Sequence, residues 1–595
     1  MFGPGTQNGV GQGVANIPAL TALSYSRRLY MAVQQLFANG EPGFWLDPSD
    51  MSTMFTDAAG TTPVTAVEQP VGLILDKSKG LVLGAELVTN GNFSSGLTGW
   101  TNSSTSPATA TINGSSQLEL YSTATTNAVL VQSEATVAGK WYRVNISVAA
   151  QTAPFLRVLI GTGSQGSDLG GKDFTNTGAN VKTIYFCATT TTSYITLLNG
   201  WAGIDTISNV SCKSLAGTHY YQSTAGVRPV LSARVNLLTE TETIGASWTK
   251  SNGAVTANAG AAPNGTATAS LFVPNTSNVS HSVLYAALTV GQSYKITMKL
   301  KAGGIRYAAI SNAGASAYTT TFDLQAGTVG FTGGSCTPTI SAVDAYGYYL
   351  CSVSFVAGYT TLSIYANNTS GDVNNFAGDG TSGFYIWGVD ARPSDQATGL
   401  IPTYQRVNTS TDYDTAGFPL YLSGNGTQWM QCAAQDYTGV NKIMLCGGVR
   451  KKSDAALAVV FELSPTIASN NGAVLLSAPN SAAANLNFSS KGTTQVDNVV
   501  TTYTSPNTTV LTGLGDISAP SNIVRVNGAQ VGSVSSTQGT GNYGNYAGFL
   551  FARNGASSML TGNIYQLIAR GSTVASNAAQ IANTESWTDL KTKAY

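Results

Sequence analysis

The chain has 595 residues, of which 29 are acidic and 29 basic, so 10% is charged and the net charge is zero. That is far below the roughly 25% of ordinary globular domains, and it leaves solubility to Ser, Thr, Asn, Gln and turn backbone. Balanced charge removes the electrostatic basis for binding nucleic acid or an anionic membrane, no stretch approaches the roughly 18 apolar residues of a membrane span, and the 65 Gly follow no collagen period.

The first residues, MFGPGTQNGVGQG, lack the basic and apolar regions of a secretory signal. Residues 1–15 read as an irregular arm. Residues 17–38 predict a helix, with Leu23, Tyr30, Val33 and Phe37 on heptad-like spacing and Asn39-Gly40 as its stop. Such a helix either lies on a neighbouring sheet or offers an oligomerisation seam. In residues 41–84, Pro63 and Pro70 break any long element. Residues 1–84 are therefore expected to form an anchor and connector.

From residue 85 the pattern turns to short strands. LELYS, AVLVQ, WYRVNISVA, PFLRVLIG, KTIYFCA, SYITLLN and IDTISNVSC predict an antiparallel jelly-roll over 85–213. A linker, 214–235, leads to a second jelly-roll over 236–400. The two share a grammar. Gly139-Lys-Trp-Tyr-Arg-Val-Asn-Ile matches Gly291-Gln-Ser-Tyr-Lys-Ile-Thr-Met, and each follows a landmark tryptophan, Trp100 or Trp248. A repeated period-2 strand at matching offsets indicates a duplicated module. A third β-rich domain, 410–595, carries the Asn527-Gly528 hairpin signal and ends in a short helix at 577–583. The predicted fold is mainly β: a short N-terminal helical anchor followed by three antiparallel β-sandwiches, two jelly-rolls and one concanavalin-like domain.

The NGNF…GW opening, the Tyr-led strand after Gly139 and the Ile204-Asp205 closing strand resemble jelly-roll carbohydrate-binding modules of polysaccharidases. The segment from YIWGVD to IPTY resembles a related jelly-roll of bacteriophage virion proteins. GVRKKSDA, AQVGSV and GNIYQLIARG resemble concanavalin/laminin-G-like sandwiches, and the connector is similar to N-terminal segments of phage fibre and tail proteins. The resemblance implies a virion appendage, a fibre or spike. Its N-terminus would dock to portal, neck, capsid or tail proteins, and its β-domains would bind host surface polysaccharide as a homotrimer. A purely structural head-decoration or fibre protein and a capsule-degrading spike are the alternatives. The same resemblance implies that the one cofactor to consider is a structural Ca²⁺, with Glu86, Asn92 and Asp205 as its ligands and Asp390 as the equivalent position in the second module.

Sugar-binding faces combine aromatic platforms with amide or carboxylate groups. Trp100, Tyr121, Trp141 and Trp201 are the candidates in the first module, with core packing as the competing explanation for each tryptophan. The six Cys fall as pairs, Cys187/Cys212, Cys336/Cys351 and Cys432/Cys446, and are either disulfides or buried thiols. Catalysis finds little support. His219 and His281 are the only histidines, no nucleophile elbow or zinc motif occurs, and the nearest carboxylate group is Asp412, Asp414, Asp436 and Glu462. No enzyme is expected.

Overall fold

In the computed structural model, residues 17–595 are described, with side chains from residue 25 onward. The arm at 1–15 and Leu23 lie outside this description. The described chain forms antiparallel β-sandwiches, as the strand spacing predicts.

The first sandwich packs a five-stranded sheet on a six-stranded one. The former runs in the order Gly170–Thr175, Phe155–Gly161, Thr192–Asn199, Ala128–Ala135, Thr101–Asn102. The latter is centred on Trp141–Gln151, which pairs with both Asn180–Cys187 and Gly203–Leu215. Alternation sorts the faces. Tyr142, Val144, Ile146 and Val148 enter the core, while the intervening Arg143, Asn145 and Ser147 stay partly exposed. Each fully buried aliphatic side chain of this kind contributes about 1.5–3 kcal/mol.

The second sandwich repeats the plan with two six-stranded sheets, and Ser293–Gly303 takes the place of Trp141–Gln151 between Tyr349–Val356 and Gly383–Pro393. The shared grammar has a physical cause. Gly139 and Gly291 both adopt φ of +82°, a left-handed turn that glycine enters without a Cβ penalty. Three residues later a tyrosine hydroxyl reaches back over that turn. Tyr142 accepts from the Val137 N–H at 2.8 Å, and Tyr294 accepts from the Thr289 N–H at 2.9 Å. The landmark tryptophans match as well. Trp100 Nε1 donates to the Asn90 carbonyl at 3.4 Å and Trp248 Nε1 to the Thr239 carbonyl at 3.0 Å.

The third sandwich departs from the expected division of the chain. Its eight-stranded sheet includes Gly43–Leu46, paired with Thr561–Ser572, and has Val230–Ser232 at one edge beside Tyr421–Asn425. Its nine-stranded sheet begins with Met54–Phe55, Leu73–Ile74 and Tyr220–Tyr221 before reaching Met430–Gln431. The connector is thus woven into this sandwich and is not part of a separate anchor. The reason lies in GFWL: Phe44 enters the sandwich core, 5.1 Å from Tyr220 and 5.2 Å from Phe461 between ring centres, while Trp45 points to the opposite face. Both are fully buried. The two jelly-rolls are excursions from this composite base.

Helix α1 (Ile17–Gln35) lies on that opposite face with helix α2 (Ala578–Thr592). Leu29, Val33 and Phe37 pack with Trp45, Met444, Ile568 and Trp587. Of the expected heptad seam, Tyr30, Val33 and Phe37 pack within their own chain, and Leu23 lies outside the described side chains. Helix α2 is longer than the sequence suggested. Asn577 and Gln580 form a reciprocal capping box, and the helix continues until Lys593 turns left-handed. The Asn527-Gly528 turn has both residues at positive φ and joins Ser521–Val526 to Ala529–Val534 as predicted. All six cysteines are free thiols, and burial raises every one of their pKa values.

Candidate functional site

The outer face of the five-stranded sheet carries the best constellation for ligand contact. Along Phe155–Gly161, Leu156, Val158 and Ile160 point to the core, so Phe155, Arg157 and Leu159 point outward. Across the ladder Arg157 sits opposite Asp173 on one side and Leu198 on the other. Arg157 donates to Asp173 through Nε at 2.5 Å and Nη2 at 2.7 Å, a bidentate pair. Each partner reinforces the other's charge: the guanidinium holds Asp173 below the usual carboxylate range, and Asp173 raises Arg157. The pair is about 40% exposed, so its worth lies in presenting fixed donors and acceptors more than in stability.

Trp201 leans over this pair. Its ring lies 5.0 Å from the Arg157 guanidinium and 5.1 Å from the Phe155 ring, tilted 51° to it. Asn199 fixes the backbone that carries the indole. Its side-chain oxygen accepts the Trp201 backbone N–H at 2.9 Å, and its side-chain amide donates to the Leu120 and Gly203 carbonyls, both at 3.0 Å. Further along the face, Tyr194 borders an apolar floor of Val129, Val131 and Leu198. The loop after Gly161 crosses this floor, with the Gln165 N–H donating to Thr196 Oγ1 at 3.2 Å. Partly exposed aromatic rings thus flank a fixed ion pair, while Val129, Val131 and Leu198 are buried beneath the loop; the rings and the pair suit a ligand with apolar faces and polar edges.

Of the four aromatic residues singled out in the sequence, only Trp201 belongs to this face. Trp100 is buried against Phe93 in the core, so its ring is closed to a ligand. Tyr121 is exposed but sits on the other sheet, opposite Ile204. Trp141 is buried between the first sandwich and the base, 5.6 Å from Tyr221 and 5.4 Å from His219. Its indole N–H has no partner, and it forms part of the wall of a cavity of about 800 Å³ shared with Asp57, Lys172 and Arg228. Phe155, Arg157, Asp173 and Tyr194 escaped the sequence reading. The alternation in PFLRVLIG was visible, but which set faced outward was not.

The three residues proposed for Ca²⁺ do not meet. Glu86 pairs opposite Lys213 near the end of Gly203–Leu215, where its carboxylate accepts from the Val88 N–H, the Cys212 N–H and Ser211 Oγ. Asp205 lies near the start of that strand, eight residues before Lys213, roughly 26 Å at ordinary strand rise. Asn92 caps its own turn through Ser94. Among the described residues no group of three or more His, Cys, Asp or Glu is placed to hold a metal ion. Asp205 is fully buried and neither oxygen has a hydrogen-bond partner. Burial pushes its carboxyl up to about 7, against the pull of the Gln151 amide and the Lys182 ammonium. Asp390 instead pairs with Arg392 in the second sandwich.

The titratable groups weighed for catalysis are dispersed. His219 Nδ1 accepts the Asp76 N–H at 2.9 Å, and burial pushes its ring down to about 3. His281 is held between the Asn252 and Phe376 carbonyls. Asp412 and Asp414 pair with Arg406, Asp436 caps Thr438, and Glu462 pairs with Arg553.

No family model and no curated protein matches the chain. Among solved structures it is similar to the CBM40 module of the Ruminococcus gnavus IT-sialidase bound to alpha2,3 sialyllactose, at 14% identity over 24% of this chain and 83% of that one, with a TM-score of 0.20. It is also similar to the N-terminal CBM22 tandem of Paenibacillus barcinonensis Xyn10C, at 12% identity over 52% and 98%, with a TM-score of 0.19. A third is the LG4-5 pair of the mouse laminin alpha1 chain, at 11% identity over 57% and 90%, with a TM-score of 0.19. At these scores the likenesses carry no argument about function, which rests on the side-chain geometry above.

Proposed function

We propose that this chain is a non-enzymatic glycan-binding protein that engages saccharides on the outer face of the first sandwich. The observation that carries this reading is the Trp201–Phe155–Arg157–Asp173 constellation, a partly exposed aromatic pair beside a bidentate ion pair. A pyranose ring placed on the aromatic pair would set its hydroxyls against fixed donors and acceptors. The finer reading is a bacteriophage appendage recognising host polysaccharide, and it rests on the order of the sequence motifs. Multiple copies on one particle would turn weak single-site binding into avidity.

The test is a glycan array probed with the full-length chain beside its Trp201→Ala and Arg157→Ala variants. Binding to particular saccharides, lost in both variants while their unfolding temperatures stay near that of the parent, is the expected result. Equal binding by the parent and both variants would remove this face from consideration. Particle labelling tests the appendage reading: failure of antibodies against this chain to decorate any virion would overturn it.

A further inference from the structure

A second site lies where the second sandwich meets the composite base. A cleft of about 540 Å³ opens there, within the range of small-molecule sites. One wall is the outer face of the eight-stranded sheet, where Arg450 and Asn563 are direct partners across the ladder. Lys452 follows immediately at the end of that strand, and Tyr421 and Arg234 complete this side. The cleft is cationic in a chain of zero net charge. Its lining holds three Arg and Lys side chains against the single carboxylate of Glu68.

The charges are unequally satisfied. Arg450 crosses the cleft to Asp395 of the second sandwich at 2.8 Å and is compensated. Arg234 donates only to the backbone carbonyls of Asn236, Leu237 and Leu238. Lys452 has no carboxylate partner among the described residues. Its side chain is exposed where it lines the cleft. Glu68 is already engaged by Ser232 and Tyr413. Asn563 is 1% exposed, and its side-chain oxygen has no hydrogen-bond partner. An unpaired cation and an unused buried acceptor lining one cleft describe a ligand that brings both an anionic group and a hydroxyl.

We propose that this cleft binds a carboxylate-bearing saccharide, with its carboxylate at Lys452 and Arg234 and a hydroxyl donating to Asn563. The site is independent of the Trp201 face, and either stands without the other.

Calorimetric titration of the full-length chain with trigalacturonic acid, and with its neutral methyl ester, tests the assignment. The acid should bind at least about tenfold more tightly than the ester, the loss expected for a charge-assisted contact. Raising the salt should weaken the acid and leave the ester unchanged. Lys452→Ala should cost about tenfold for the acid, and Trp201→Ala should leave that affinity as it was. Equal affinity for acid and ester overturns the proposal, as does a Lys452→Ala variant that binds like the parent. Loss of acid binding in Trp201→Ala would also overturn it, by assigning the acid to the first sandwich. The conservative variant Lys452→Arg, which keeps the charge, should retain binding and shows that the Ala variant fails through charge and not through folding.

Discussion

Asp205 offers the sharpest test of the energetics of the first sandwich. It sits opposite both Leu120 and Gln151 in the ladder, fully buried, with both oxygens unbonded. Its carboxyl is raised from an ordinary 3.8 to about 7. The sign follows from proton counting. Between pH 4 and 7 the folded state keeps a proton that the unfolded state has lost, so rising pH withdraws stability across that window. Three units at about 1.4 kcal/mol each amount to about 4 kcal/mol at pH 8 and nothing near pH 4. Asp205→Asn carries a neutral group of the same shape and should behave like the protonated acid at every pH. The variant should therefore match the wild type near pH 4 and exceed it at pH 8, by roughly 10 °C in unfolding temperature for a domain of this size. Scanning calorimetry at pH 4, 6 and 8 reads the difference, with a chelator present so that no cation holds the carboxylate ionised. Parallel pH dependence in the two proteins, or a variant less stable at pH 8, would refute the reasoning.

The remaining expectations concern the base and the repeated turns. Asp76 accepts the N–H groups of Trp45, Ser78 and Thr218 at 2.7–2.8 Å, joining connector and linker. Asp76→Ala leaves three backbone donors unpaired at about 1–3 kcal/mol each, and urea midpoints should fall accordingly. Phe44→Ala should cost about 3–5 kcal/mol through the cavity it leaves, although the residue lies in what reads as an anchor; a loss under about 1 kcal/mol would contradict its place in the core. Gly139→Ala and Gly291→Ala should each cost about 1 kcal/mol or more from the left-handed backbone alone, since neither Cβ would meet a neighbour closer than 4.0 Å. Similar losses at the two positions would support the duplication, and no loss at either would count against it.

The two jelly-rolls were legible because their signals are local. A period-2 strand, a glycine turn and a tyrosine three residues on are all contained within a dozen positions. The NG hairpin was legible for the same reason. What stayed hidden depends on long-range pairing. GFWL pairs with a strand more than 500 residues later, and no local pattern announces that partner. The tryptophans failed as site markers because an indole serves a core and a surface equally well. Only the facing of each strand decides, and a shift of one residue reverses it. Trp100 and Trp201 have similar flanking sequences rich in Gly, and they end on opposite sides of the same sheet system.

The weaving of the connector into the base changes what a truncation can mean. A chain lacking residues 1–84 loses Gly43–Leu46, Met54–Phe55 and Leu73–Ile74 from the two sheets of the base. It also loses Phe44, Trp45 and Ile74 from buried positions. With Gln566 oriented to accept both indoles, the removal strips a hydrogen bond of 2.6 Å from Trp45 and leaves Trp587 at 2.7 Å without its aromatic neighbour. At about 3–5 kcal/mol for each large aromatic, the loss approaches the 5–15 kcal/mol by which a domain is stable at all. Failure of such a chain to join any larger assembly would therefore report an unfolded base, not a lost docking peg. A fair test of attachment keeps residues 41–84 and removes only the segment before residue 25. That shorter deletion should leave the unfolding temperature of the base within a few degrees of the parent, because the packing of Leu29, Val33 and Phe37 on Trp45, Met444, Ile568 and Trp587 survives it. A collapse of the base on losing those first residues would show that the helix is held from its N-terminal end, and would undo the assignment of its packing face.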